Sequence, residues 1–146
     1  MNKQDIINIV KIKISDKIQY FESLIAEIRA SNNDTKSSMG DKYETGREML
    51  QQEINNLQRQ LNEVLNQQAV LQKINTEPAE KVQNGALVKT NKGLFYISAS
   101  IGEIISENQK IMTVSAESPL VKAMFGKKMG DTFTINNMIQ NIEHIW

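Results

Sequence analysis

Apolar residues return every seven positions through the first half of this chain, and no other feature narrows its fold as much. Ile7, Ile14, Phe21 and Ile28 stand seven apart, with Val10, Ile18 and Ile25 at steps of three or four between them. After a polar gap the pattern resumes at Tyr43, Leu50, Leu57, Val64 and Leu71. Ile54 and Leu61 take the second seam position there, flanked by Arg47 and Gln68. Each arm keeps this 3-4 spacing for about four heptads, which is the signature of a coiled-coil seam, so these residues are read as core. The positions between them are Gln, Asn, Lys and Glu, as a solvated helix face requires.

The gap from Ser31 to Gly40 reads S-N-N-D-T-K-S-S-M-G. Such side chains compete with helix by bonding to their own backbone, so a connection is expected here. Two helices joined by a short connection fold back antiparallel. Arms of ~26 and ~32 residues would be ~40 and ~48 Å long at 1.5 Å per residue. The expectation is an antiparallel coiled-coil hairpin over residues 1–77 with its tip at 31–42. A monomer is expected, with a dimer through exposed seams as the alternative.

Near Pro78 the composition changes. Residues 1–77 hold only Gly40 and Gly46 and no proline, whereas residues 78–146 hold the other five glycines and both prolines. Glycine and proline punctuate turns, and short strands are expected between them. Ala86–Thr90 and Leu94–Ser98 flank Asn91-Lys92-Gly93, and Thr132–Ile135 and Ile139–Ile145 flank Asn136-Asn137-Met138. Both pairs read as hairpins, and Lys110–Ser115 as a further strand. One helix is expected after Ser118 as cap and Pro119 at its first position, ending before Gly126. Leu120, Ala123, Met124 and Phe125 are its expected core contacts. Four or five strands and one helix make residues 78–146 a small α+β domain. Residues 99–109 give no clear signal.

Composition removes several functions. The 17 basic and 17 acidic residues cancel, which argues against gripping nucleic acid by bulk charge. Without cysteine there is no disulfide framework, thiolate zinc site or cysteine nucleophile. No apolar run of ~20 residues can span a membrane, and the first residues lack the apolar core of a signal peptide. A cytoplasmic protein is expected. His144, the single histidine, has no nucleophile signature beside it.

Two segments resemble a known family. Gly40-Asp41-Lys42-Tyr43-Glu44 resembles the G-D-x-x-E tip motif of the Gre transcript cleavage factors of bacterial RNA polymerase, the GreA/GreB family. Ser118 to Asp131, S-P-L-V-K-A-M-F-G-K-K-M-G-D, is similar to a segment of the same factors that opens on Ser-Pro and closes on Gly-Lys-x-x-Gly-Asp. The order of hairpin, linker and small domain is similar too. The chain resembles a divergent member: Thr45-Gly46-Arg47-Glu48 stand where the family reads Asn-Ala-Glu-Tyr. Residues 86–110 look shorter than the family's stretch, which carries an extra strand pair.

The resemblance implies an FKBP-like fold for the small domain and a transcription elongation factor with no independent active site. It implies that the hairpin enters the polymerase secondary channel and stimulates hydrolysis of backtracked RNA by the polymerase itself. Asp41 and Glu44 would be the acidic tip assisting catalysis, sharing Mg²⁺ with the polymerase, since the chain has no cofactor of its own. Ser118, Pro119, Lys122, Gly126, Lys127 and Asp131 would lie on the docking surface. Lys36, Lys42 and Arg47 could meet RNA phosphate. Two carboxylates suit the chemistry, because Mg²⁺ takes hard oxygen ligands and keeps several waters. Asp41-x-x-Glu44 is equally a helix capping box. A channel regulator without cleavage activity is the alternative function; a prolyl isomerase and a plain coiled-coil interaction protein stand behind it.

Overall fold

The computed structural model describes the backbone of residues 1–36 and 44–146, and side chains of 1–31 and 46–146. Helix α1 spans Lys3–Lys36 and helix α2 spans Glu44–Gln72. Their 34 and 29 residues make rods of ~50 and ~43 Å. Asn2 caps the first, its Oδ1 accepting from the backbone N–H groups of Gln4 at 2.9 Å and Asp5 at 3.3 Å. Six strands follow: β1 Leu87–Thr90, β2 Gly93–Ser98, β3 Gly102–Ser106, β4 Gln109–Ser115, β5 Thr132–Ile135 and β6 Met138–Ile145. Helix α3, Pro119–Met124, lies between β4 and β5 in the chain. The expected architecture, a helical hairpin followed by a small α+β domain, is what the chain forms.

Packing divides the chain into two compact units, and the division does not follow the change of composition near Pro78. One comprises Met1–Lys13 and Gln67–Trp146, the other Ile14–Asn66. In the second unit the heptad seam is the core. Ile25, Ile54 and Leu61 are buried, with Ile18, Phe21, Ile28 and Leu57 partly buried against them. Amides of α2 bond along the helix, Gln51 to Asn55 at 3.0 Å and Gln58 to Asn62 at 3.1 Å.

In the first unit the strands form one sheet in the order β3-β4-β2-β1-β6-β5. Neighbours are antiparallel except β2 and β4, which run parallel. Both faces are buried at the centre of the sheet, where Leu87 and Val88, and Tyr96 and Ile97, are adjacent and fully buried. Val88, Ile97, Val114 and Ile145 join Val121 and Met124 of α3 in one core. On the other face Leu87 stands opposite Tyr96, and Tyr96 opposite Thr113, all within 1% of complete burial. The ends of the long helices, with Ile6, Ile7, Val10 and Leu71 buried, are what remains in this unit to cover it. Lys13 Nζ donates to the Glu103 carbonyl and Gln67 Nε2 to that of Ser100, both at 3.2 Å.

The structure departs from the sequence reading in several places: α1 runs on to Lys36, inside the connection expected at 31–42. The strands number six, because β3 occupies the stretch that gave no signal. Its turn to β4, Glu107-Asn108, has φ of 53° and 62° without glycine, and the β5–β6 turn, Asn136-Asn137, does the same at 52° and 62°. Mirror-image two-residue turns need such angles, and Asn tolerates them. Finally, Phe125 is not a core contact but 54% exposed. It stands at the C-cap, one residue past the end of α3, where ψ of 133° takes the chain out of the helix, and Val121 is buried in the core instead.

Candidate functional site

The expected tip falls mostly outside the described residues. Asp41 and Lys42 lie between α1 and α2 in a stretch that is not described. Glu44 is the first residue of α2 and Lys36 the last of α1; their side chains are not described either. Arg47 is part-buried at a seam position of α2. Among the described residues no group of three or more His, Cys, Asp or Glu is placed to hold a metal ion.

The Ser118–Asp131 segment is described throughout, and its signature residues are used to build a turn. Ser118 Oγ accepts from the Val121 N–H at 3.3 Å and caps α3, with Pro119 in the first turn. Gly126 has φ of +80°, the left-handed geometry that ends a helix. The following loop is clamped to residue 82: the Gly126 N–H donates to the Val82 carbonyl at 2.9 Å, and the Val82 N–H to the Lys127 carbonyl at 2.8 Å. Asp131 Oδ2 accepts from the Lys128 N–H at 2.9 Å while the Asp131 N–H donates to the Lys128 carbonyl at 3.0 Å. Gly130 and Asp131 are then tied to Ile142 of β6 at 2.8 and 2.9 Å.

A rigid loop therefore holds a particular set of side chains outward. Pro119, Lys122, Phe125, Lys128 and Met129 are exposed and Lys127 half-buried. Phe125 and Met129, at 54% and 59% exposure, are large apolar groups presented to water with lysines around them. Among the described residues the one ion pair is Lys89 with Glu143 at 3.9 Å, so none of these lysines is neutralised by such a contact. The six expected docking residues lie in one described stretch of chain. Ser118, Gly126 and Asp131 shape it, and Phe125 and Met129, absent from that expectation, supply its apolar area. The signal for Phe125 was its place beside Gly126, at the cap and not within the helix.

Two buried groups escaped the sequence altogether. Lys3 is only 6% exposed, and its Nζ donates to the carbonyls of Glu77 at 2.6 Å and Trp146 at 3.1 Å. Burial lowers its pKa below the ordinary lysine value, and the Glu77 charge opposes that in part. Beside it a cleft of about 480 Å³ is bounded by Pro78, His144 and Trp146, whose rings lie 4.2 Å apart. Tyr96 is fully buried, its hydroxyl has no hydrogen-bond partner among the described residues, and burial pushes its pKa up to about 12.

No family model matches the chain, and no curated protein matches it. Among solved structures it is similar to the GreA factor homolog 1 (Gfh1) protein of Thermus thermophilus, at 14% identity and TM-score 0.39, over 93% of this chain and 94% of that one. A structure of the transcription factor Gfh1 gives 15% and 0.37 over 92% of each chain. Thermus aquaticus Gfh1 gives 15% and 0.35 over 91% of each. Values this low leave the functional argument to the residues themselves.

Proposed function

We propose that this chain is a Gre-type transcription factor of the bacterial cytoplasm. It binds RNA polymerase through the Ser118–Asp131 surface and places the α1–α2 tip in the secondary channel, where it stimulates hydrolysis of backtracked RNA. The observation that carries this reading is a coincidence of sequence and element boundaries. The acidic motif from Gly40 to Glu44 falls where α1 gives way to α2, at the end of helices ~50 and ~43 Å long. A factor that lends carboxylates to another protein's active site needs a reach of that kind and no active site of its own.

Mg²⁺ at the polymerase would supply the Lewis acid that stabilises the attacking and leaving oxygens of phosphoryl displacement. The chain's part is positional. Asp41 would present a hard oxygen ligand, and Glu44, the first residue of α2, would orient water. A capping role for the pair is compatible, because a cap fixes the geometry of its own carboxylates. The second reading, a channel-occupying regulator without cleavage activity, is favoured by Thr45-Gly46-Arg47-Glu48 in place of Asn-Ala-Glu-Tyr.

The deciding experiment adds the protein to backtracked elongation complexes carrying 3′-labelled RNA. The expected result is release of short 3′ fragments, lost in the Asp41→Asn, Glu44→Gln double variant. Binding without release supports the regulator and returns the two carboxylates to a helix cap.

A further inference from the structure

The unit formed by Ile14–Asn66 carries a groove that the proposed function does not use. It lies between α1 and α2 with a volume of about 250 Å³, lined by the buried Ile25 and Leu61, by Ala26, and by Glu22, Arg29 and Gln58. The seam beneath it is incompletely closed, since Ile18, Phe21, Ile28 and Leu57 are only partly buried. Two helices bury a single seam between them, whereas two hairpins together can close a four-helix core.

The charges along it say what fits. Glu22 and Arg29 are both exposed, opposite in sign, and seven residues apart on α1, or ~10.5 Å. Neither is ion-paired among the described residues. The midpoint between them falls between Ile25 and Ala26, both of which line the groove. A two-fold axis through that point, relating antiparallel copies of α1, sets the Glu22 of each copy against the Arg29 of the other. The two attractions then bracket an apolar contact in which Ala26 permits close approach. Such self-complementarity about a two-fold axis defines an isologous interface.

We infer that this face is a self-association surface whose occupant is a second copy of this chain. A groove of this size admits two or three side chains, far fewer than the ~20–30 residues a side of a stable interface. The pair is therefore a weak, reversible dimer. It covers the middle of the hairpin and competes with any partner that must surround it.

Sedimentation equilibrium of the full chain from about 10 μM to about 1 mM tests this. The apparent mass is expected to rise with concentration from 16.6 kDa toward twice that value. Glu22→Arg alone and Arg29→Glu alone should each weaken association at least tenfold by setting like charges together. The two substitutions combined should restore it to within about threefold. Both positions are exposed, so the variants should keep their helicity by circular dichroism. A monomer at every concentration would overturn the inference. So would association indifferent to Arg29→Glu, or a double variant as weak as the single ones.

Discussion

Replacing Tyr96 by Phe should stabilise the β-rich unit, and increasingly so in alkali. The ring is fully buried and the substitution preserves it, so no cavity forms. The hydroxyl has no partner among the described residues, and burying one in that state costs ~1–3 kcal/mol. Its removal should raise stability at pH 7 by about 1–2 kcal/mol, or roughly 3–6 °C in Tm for a chain of this size. The pH dependence adds a second signature. The phenol pKa is about 12 in the folded protein against an ordinary 10.0, so the folded state holds this proton more tightly. The resulting stability is present below pH 10 and lost as pH rises through 12. At 1.36 kcal/mol per pKa unit the loss has an upper bound of ~2.7 kcal/mol. Urea unfolding followed by the fluorescence of Trp146, the single tryptophan, reports on this unit. The gap between variant and parent should widen by about 1–3 kcal/mol between pH 9 and 12. A variant less stable by more than about 1 kcal/mol at pH 7 would refute the reasoning, because the hydroxyl would then have a bond to lose. An unchanged gap across the alkaline range would refute it too.

Other substitutions probe the remaining claims. Lys3→Met leaves the Glu77 and Trp146 carbonyls without their donor and should cost about 1–3 kcal/mol by urea unfolding. Gly126→Ala and Gly85→Ala separate backbone strain from crowding. The first, at φ of +80° with open space around it, should cost ~1–2 kcal/mol. The second adds a Cβ 2.9 Å from Ile74 Cγ2 and 3.0 Å from the Asn75 carbonyl and should cost clearly more in the same assay. Phe125→Ser should change the unfolding midpoint little, because the ring is exposed, yet weaken polymerase binding at least tenfold in a competition assay if it anchors docking.

The long helices were legible because a 3-4 spacing sustained over about four heptads has a single packing solution. The cap at Ser118, the proline after it and the glycine at 126 were legible for a similar reason: each residue type answers one backbone requirement. Strand β3 was not. Ile104 and Ile105 are adjacent and face opposite ways, one buried and one 61% exposed, so no alternation shows. Its turn uses Glu107 and Asn108 at positive φ, where the sequence offers no glycine as a marker. Lys3 was illegible because a lysine near a helix start reads as solvated, and only tertiary structure brings the Glu77 and Trp146 carbonyls to it. In the Ser118–Asp131 segment the polar and glycine residues were read from their motif. Phe125 was misjudged because periodicity was carried one residue past the helix end.

The central claim is that residues between α1 and α2 reach the polymerase active centre, and localised radical cleavage tests it most directly. With Fe²⁺ replacing Mg²⁺ at that centre, hydroxyl radicals cut whatever polypeptide lies beside it. Cuts in this chain should be confined to the stretch around Asp41 and Glu44 and be abolished by a competitor for the secondary channel. A bound chain left uncut there, or cut instead within residues 78–146, would contradict it.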